Sequence, residues 1–252
     1  MILEEGRLTL GSCERRTGRR FLVLNLLGVV VAAALVAAIF AVKYGLSKRR
    51  RAGLERLAEE WGWRFHESGE RIVPLPNYFL LSKRGAFQIE DAVGWTLAGE
   101  RDGRAFFVFQ HRRYRMRNTN ERQRHGYPHN VALVHCDKLR LPQFTVRRAR
   151  FWNKIAASVA GGEVLFEDDP QFWSRFRVEG EDAEAIRRRL GPEVRDYLVW
   201  KGNLVVQGFA NELLFYRPTR MLRPSSFNAK RARRLSEELD RLLDLLLQSA
   251  QE

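Results

Sequence analysis

Thiols and imidazoles are scarce in this chain of 252 residues. It holds two cysteines, Cys13 and Cys136, and five histidines. Two cysteines exclude a disulfide framework and any metal site built on thiolates alone. No glycine-rich phosphate loop is present: Gly161-Gly162 lacks the spacing and the lysine of a nucleotide site. Serine and cysteine nucleophile motifs are missing too, and the His135-Cys136 neighbours are adjacent in sequence only. Acids are in deficit, 30 against 44 lysines and arginines, for a formal net charge of +14. Apolar bulk is plentiful. Six Trp and sixteen Phe at regular spacing exclude a disordered chain. With one long apolar run set aside, about 200 residues remain, enough for a single sizeable core.

That run reads FLVLNLLGVVVAAALVAAIFAV from Phe21 to Val42, with Asn25 its one strongly polar residue. A helix of that length spans ~33 Å, the thickness of a hydrocarbon core, and satisfies its own backbone there. The sequence therefore predicts a basic tail over 1–20 and a transmembrane helix over 21–43. A cleaved signal peptide competes, because Ala32-Ala33-Ala34 resembles a cleavage site. The apolar run continues from Leu35 to Val42, which favours the anchor. Leu-Gly-Ser-Cys at 10–13 has the letters of a lipoprotein box but no apolar stretch before it.

Orientation follows the basic flanks. Residues 6–20 carry five Lys/Arg and residues 43–57 carry six. The denser cluster, Lys48 to Arg51, leans towards a cytosolic domain, as does an unpaired Cys136. Residues 1–51 hold ten Lys/Arg and three acids, so half the net charge sits beside the membrane. Arg19, Arg20, Lys48, Arg49, Arg50 and Arg51 are expected to face anionic headgroups, each gaining ~1 kcal/mol.

Residues 44–62 read as a juxtamembrane basic segment and an amphipathic helix, after a short joint around Gly45 to Ser47. Leu54, Leu57, Ala58 and Trp61 form the apolar face of that helix and Gly62 its stop. Residues 63–252 read as one soluble domain. Asp102-Gly103 is a hairpin signal between strands over 87–97 and 104–111. Val131 to Cys136 and Gln143 to Val146 read as strands separated by a turn at Pro142, and Trp152 to Ala160 as a short helix. Phe176 to Val178 is a strand, and Asp182 caps a helix over 183–190. Pro192 opens a second helix to Trp200. Strands over 204–209 and 213–216 form an antiparallel pair, and a long helix follows from Asn228. This order predicts an α+β fold: an N-terminal transmembrane helix, then one mainly antiparallel-sheet domain with a long C-terminal helix.

Phe172, Phe176, Val178, Asp182-Ala183-Glu184-Ala185, Leu190 and Pro192, with a hairpin ending in Glu-Leu-Leu-Phe, resemble a bacterial group of membrane-anchored proteins known only as domains of unknown function. Leu57-Ala58-Glu59-Glu60-Trp61-Gly62-Trp63 is similar to the opening common in such proteins. The resemblance covers residues 172–216 most clearly. It implies a bacterial source, a membrane anchor and an α+β domain; the expected location is the bacterial inner (cell) membrane. No catalytic residue comes with it.

Chemistry is sparse. His125 and His129 in HGYPH suggest zinc ligands, but Pro128 opposes a helical pair. His135 and Cys136 would point to opposite faces of a strand. Glu167-Asp168-Asp169-Pro170 reads more as a turn with a helix cap than as a cation or acid–base site. The stretch from His111 to Asn130 stands out. It holds Arg112, Arg113, Arg115, Arg117, Arg122 and Arg124 against one acid, Glu121, with Tyr114 and Tyr127 interleaved. Arginine forks on a loop suit phosphates of lipid headgroups or nucleic acid. A further basic run, Lys230-Arg231 and Arg233-Arg234, opens the last helix, where the macrodipole disfavours cations.

The expectation is an interaction module near the bilayer, leaning away from catalysis, with no cofactor and no metal. Its partners would be anionic headgroups or a protein, with nucleic acid a lesser alternative. An enzyme assembled from scattered residues is the third reading.

Overall fold

The computed structural model describes residues 13–69, 72–73, 89–115, 128–149, 162–218 and 226–249. The chain divides into two compact units, Met1–Arg49 and Arg50–Glu252. In the first, the apolar run lies in helix α1 (Cys13–Trp61). Every residue from 28 to 42 is exposed, Val29 and Phe40 each to 67%. The segment Gly28–Trp61 is long and apolar enough to cross a membrane. Gly45 to Ser47 make no joint in α1, which stays helical through them. One glycine costs a helix only ~1 kcal/mol, and Leu46, Lys48 and Arg49 around it are good helix formers.

The second unit begins with the last turns of α1. Leu54, Leu57 and Ala58 are buried there, and Gly62 (φ 69°) ends the helix in the left-handed region. Strand β1 (Arg64–His66) follows, then the hairpin of β2 (Ile89–Arg101) and β3 (Arg104–Arg115). Asp102 and Gly103 both have positive φ, 54° and 71°, as a type I′ turn requires. Next come β4 (His129–His135), β5 (Leu141–Arg148) and β6 (Glu163–Val164). Helix α2 (Pro170–Arg175) leads into β7 (Phe176–Gly180). Helices α3 (Ala183–Arg189) and α4 (Pro192–Lys201) precede β8 (Val205–Ala210) and β9 (Glu212–Tyr216). Helix α5 (Ala229–Gln248) closes the domain.

Among the described residues the nine strands form one sheet, in the order β1-β2-β3-β4-β9-β8-β5-β7-β6. Every pairing is antiparallel. The fold is α+β with a long C-terminal helix. Alternation along the strands sorts the side chains. Phe106, Val134, Phe144, Val146 and Phe215 share the main core with Leu235, Leu239, Leu242 and Leu246 of α5. The alternate positions Phe109, Val131, Leu133 and Leu214 form a smaller cluster on the opposite face.

Two local devices follow from the residues. The turn expected at Pro142 lies instead before β5, at Asp137-Lys138. Pro142 is inside β5, where the register slips between Leu141 and Phe144, so the missing N–H costs no ladder bond. Gly99 of β2 lies under the Trp63 ring, and a Cβ there would stand 2.2 Å from the indole. Gly99→Val is expected to cost about 1–3 kcal/mol by overpacking, measured as a lower urea midpoint with unchanged far-UV circular dichroism.

Candidate functional site

The arginine-rich stretch begins differently from its sequence reading. No loop starts at His111: residues 111–115 continue β3. Arg112 lies opposite Ala92, Arg113 opposite Asp91 and Arg115 opposite Ile89. The Asp-Gly turn sets this register, and the hairpin carries it past an irregularity between Val93 and Thr96 to the far end of both strands. Arg117, Arg122, Arg124, His125 and Tyr127 lie outside the described residues, as does the helix expected over 152–160. Arg19 and Arg20 belong to α1. Lys48 and Arg49 are exposed and Arg50 is half-buried. Arg51 is held by Glu55 (2.8 Å) and by Glu67, so its charge is answered within the protein.

Several other charges are answered internally as well. The Glu167 to Pro170 turn is a cap: the Phe172 N–H donates to Asp169 Oδ1 at 2.9 Å. Arg195, buried over Phe166, draws Asp168 (2.8 Å) and Asp169 (3.2 Å) together. Its hydrogen bond to Asp168 holds that carboxyl below the usual aspartate range. Across β5, β6 and β7 like charges lie opposite, Glu163 to Glu179 and Arg147 to Arg177. Diagonal pairs, Arg177 with Glu163 at 3.4 Å and Arg147 with Glu179, relieve that repulsion. Arg101 and Arg104 pair with Asp240, and Arg104 also with Asp244. In the basic run of α5, Arg231 donates to Ser226 O, Arg233 pairs with Glu60 and Arg234 with Glu238.

One concave place gathers several arginines. An open cleft of about 1210 Å³ lies where the β4–β5 connection, α3, the start of α4, the β8–β9 turn and the end of α5 meet. Leu139 and Leu141 border it but are already buried in the main core, at 2% and 5% exposure; Pro142 and Ala185 are half-buried and Ala210 is exposed. Arg140, Arg187, Arg188 and Arg189 line it against a single acid, Asp182. Asp182 is already engaged as the α3 cap, accepting from the Ala185 N–H at 2.9 Å. Arg187 Nε donates to Leu165 O (3.0 Å) and Arg189 Nη2 to Arg140 O (3.0 Å). Burial lowers the Arg189 pKa, and its Nη1 is buried with no hydrogen-bond acceptor. Arg140 and Arg188 are exposed and make no ion pair among the described residues.

Sequence reasoning missed this cleft. The signal available was three consecutive arginines closing α3 before Gly191-Pro192; nothing local pointed from them to Arg140.

Histidine and thiol separate as alternation requires. Cys136 is a free thiol buried in the main core, while the His135 ring is partly exposed. His135 Nε2 is 2.9 Å from Asn211 Nδ2 and 3.4 Å from Asp137 Oδ1, and Nδ1 is 3.8 Å from Glu212 Oε1. Among the described residues no group of three His, Cys, Asp or Glu side chains is placed to hold a metal ion.

No family model and no curated protein matches the chain. Among solved structures, the mycobacterial trehalose monomycolate transport factor A, TtfA, is similar with a TM-score of 0.48 and 13% identity, over 78% of this chain and 94% of that one.

Proposed function

We propose that the protein is a single-pass membrane protein whose α+β domain is a non-enzymatic module binding anionic groups, bilayer headgroups first. One observation carries this reading: four arginines line one cleft against a single acid, Asp182, which is already engaged as a helix cap. Exposed, unpaired guanidinium forks recognise phosphate oxygens two at a time. The exposed apolar length of α1 supports the anchor. The Lys48–Arg51 cluster and the free thiol Cys136 support a cytosolic domain at the bacterial cell membrane. Arg112, Arg113, Arg115, Arg117, Arg122 and Arg124 are proposed as a second anionic contact.

The test uses the full chain in neutral phosphatidylcholine nanodiscs, mixed with separate liposomes containing phosphatidylglycerol. Binding is expected to fall steeply between 50 and 200 mM salt. The double variant Arg140→Ser, Arg188→Ser removes two cations worth ~1 kcal/mol each, so it should weaken binding roughly 30-fold. Its thermal midpoint should barely move, because exposed charges contribute little to folding. Equal binding by variant and wild type would remove the cleft from this function. Stronger binding to duplex DNA than to liposomes would favour a nucleic-acid role.

A further inference from the structure

Trp200 is the most exposed large apolar side chain among the described residues of the second unit, at 74% against 48% for Trp173. A tryptophan in a folded domain is ordinarily far more covered. It stands in the last turn of α4, its ring 6.0 Å from that of Tyr197, and the Lys201 ammonium lies 4.0 Å from its centroid.

The charges beside it belong mainly to α5. Lys201 and Arg234 reach the same Glu238 oxygen, at 3.5 and 3.0 Å, so Trp200 and Arg234 share one corner. Arg231, Arg234, Glu238 and Arg241 recur at i, i+3, i+7 and i+10, one face of that helix. The three arginines are exposed, while Glu238 is buried and already holds Arg217, Arg234 and Lys201. Arg231 donates to Ser226 O, and neither it nor Arg241 makes an ion pair among the described residues. Of the exposed acids nearby, Glu237 lies towards Arg233, and Asp196 lies one turn before Trp200. Five cations thus stand against three acids around one projecting indole.

The corner lies towards the end of α5 where the chain enters the domain, at Arg50. A Cβ on Gly53 would stand 3.8 Å from that of Ala229, and Glu60 pairs with Arg233, so the last turns of α1 run beside the start of α5. Arg231 and Arg234 follow Ala229 within ~8 Å of helix rise. Arg50 comes eight residues after Val42, ~28 Å even when fully extended. A bilayer holding the span is therefore within reach of this end of the domain. The arginine cleft is at the other end, where Ser249 lines it, ~30 Å along α5.

We infer that the Trp200 corner is a second bilayer contact, separate from the cleft: the indole enters the interfacial layer, and Arg231, Arg234 and Arg241 meet lipid phosphates. Indole joins an apolar ring to one N–H, and both are satisfied at the level of the headgroups. Arginines around it add attraction to anionic lipid, as on helices that lie in the interface. The inference rests on the bilayer reading and adds the aromatic contact and the surface that makes it.

The test is fluorescence quenching of the full chain in nanodiscs whose phosphatidylglycerol carries brominated acyl chains, since bromine quenches only indoles close to it. The Trp200 signal is the emission of the wild type minus that of Trp200→Phe, a change at an exposed ring that should leave the thermal midpoint in place. This signal is expected to be quenched. Arg231→Ser, Arg241→Ser spares the cations that hold Glu238; it should weaken the contact roughly 30-fold and restore most of the signal. Hydrogen exchange of the wild type gives a second reading. Peptides over 198–203 and 229–234 should gain protection in phosphatidylglycerol discs relative to phosphatidylcholine discs.

An unquenched Trp200 signal with no gain in protection would overturn the inference. If the chain in phosphatidylcholine discs then still binds separate phosphatidylglycerol liposomes, anion binding through the cleft stands without this corner; loss of both removes that reading too. Equal quenching in the arginine variant, or by brominated phosphatidylcholine alone, would overturn the part given to the arginines. Quenching of Trp200 by added DNA and not by brominated lipid would overturn the bilayer contact in favour of base stacking.

Discussion

Replacing Ala34 and Val36 together by arginine is expected to remove the full-length protein from the carbonate-resistant membrane fraction. Both positions are exposed within α1, near the middle of a stretch in which every residue from 28 to 42 is exposed. The described residues do not bury this surface, and burial in hydrocarbon returns roughly 25 cal/mol for each Å² taken from water. An arginine at a span centre costs ~2.5–3.5 kcal/mol on insertion scales, and within one turn at mid-span neither side chain has a short route to the headgroups. The control pair Ala34→Leu, Val36→Leu should sediment with membranes as the wild type does. Wild-type protein recovered in the soluble fraction without detergent would end the anchor reading, whatever the variants do.

The elements legible in the sequence are those whose code is local. Asp102-Gly103 demands positive φ at two successive residues, and only a primed hairpin turn supplies it. Asp182 and Asn228 each cap the helix that follows, accepting from the N–H groups of Ala185 and Arg231. Pro192 starts α4 because its missing N–H is one that a first turn does not use. Pro142 misled for a complementary reason: proline marks turns on average, but a register slip in β5 accepts it equally well. The central pairing of β4 with β9 joins residues about eighty positions apart, Val131 to Tyr216, and no local pattern encodes that. The cleft is illegible on the same ground. Arg140 leaves one strand connection and Arg188 ends a helix, and each reads alone as an ordinary solvated charge.

Glu238 illustrates how far that blindness reaches, and it yields the largest expected loss of stability. In the sequence it is one acid of Ser-Glu-Glu-Leu-Asp on a charged helix. In the structure it is buried to 4% exposure and receives Arg217 through both oxygens (3.0 Å each), Arg234 (3.0 Å) and Lys201 (3.5 Å). Its own backbone carbonyl accepts the Tyr197 hydroxyl at 2.8 Å. Burial, with the carboxylate's charge nearby, pushes that phenol up to about 12. One side chain thus ties α5 to α4 and to the residue that follows β9.

Burial alone would raise the Glu238 carboxyl, but hydrogen bonds from Arg217 and Arg234 outweigh it and the net shift is downward. The sign of the pH dependence follows. A carboxyl with a folded pKa below its unfolded value contributes stability above the unfolded value, and loses it as pH falls towards the folded one. Glu238→Gln keeps the shape, removes the charge and leaves three cations facing a neutral amide. Breaking a buried pair costs 3–5 kcal/mol; Arg217 and Lys201 keep some contact with water, so the expected loss is about 3 kcal/mol. At 2–4 °C per kcal/mol for a domain of this size, the melting midpoint should drop by roughly 6–12 °C at pH 7. On acidification below the ordinary glutamate range the wild type should lose this advantage and the two curves should converge. A variant melting with the wild type at pH 7, or a gap that stays constant down to pH 3, would show that the Glu238 cluster does not hold α5 in place.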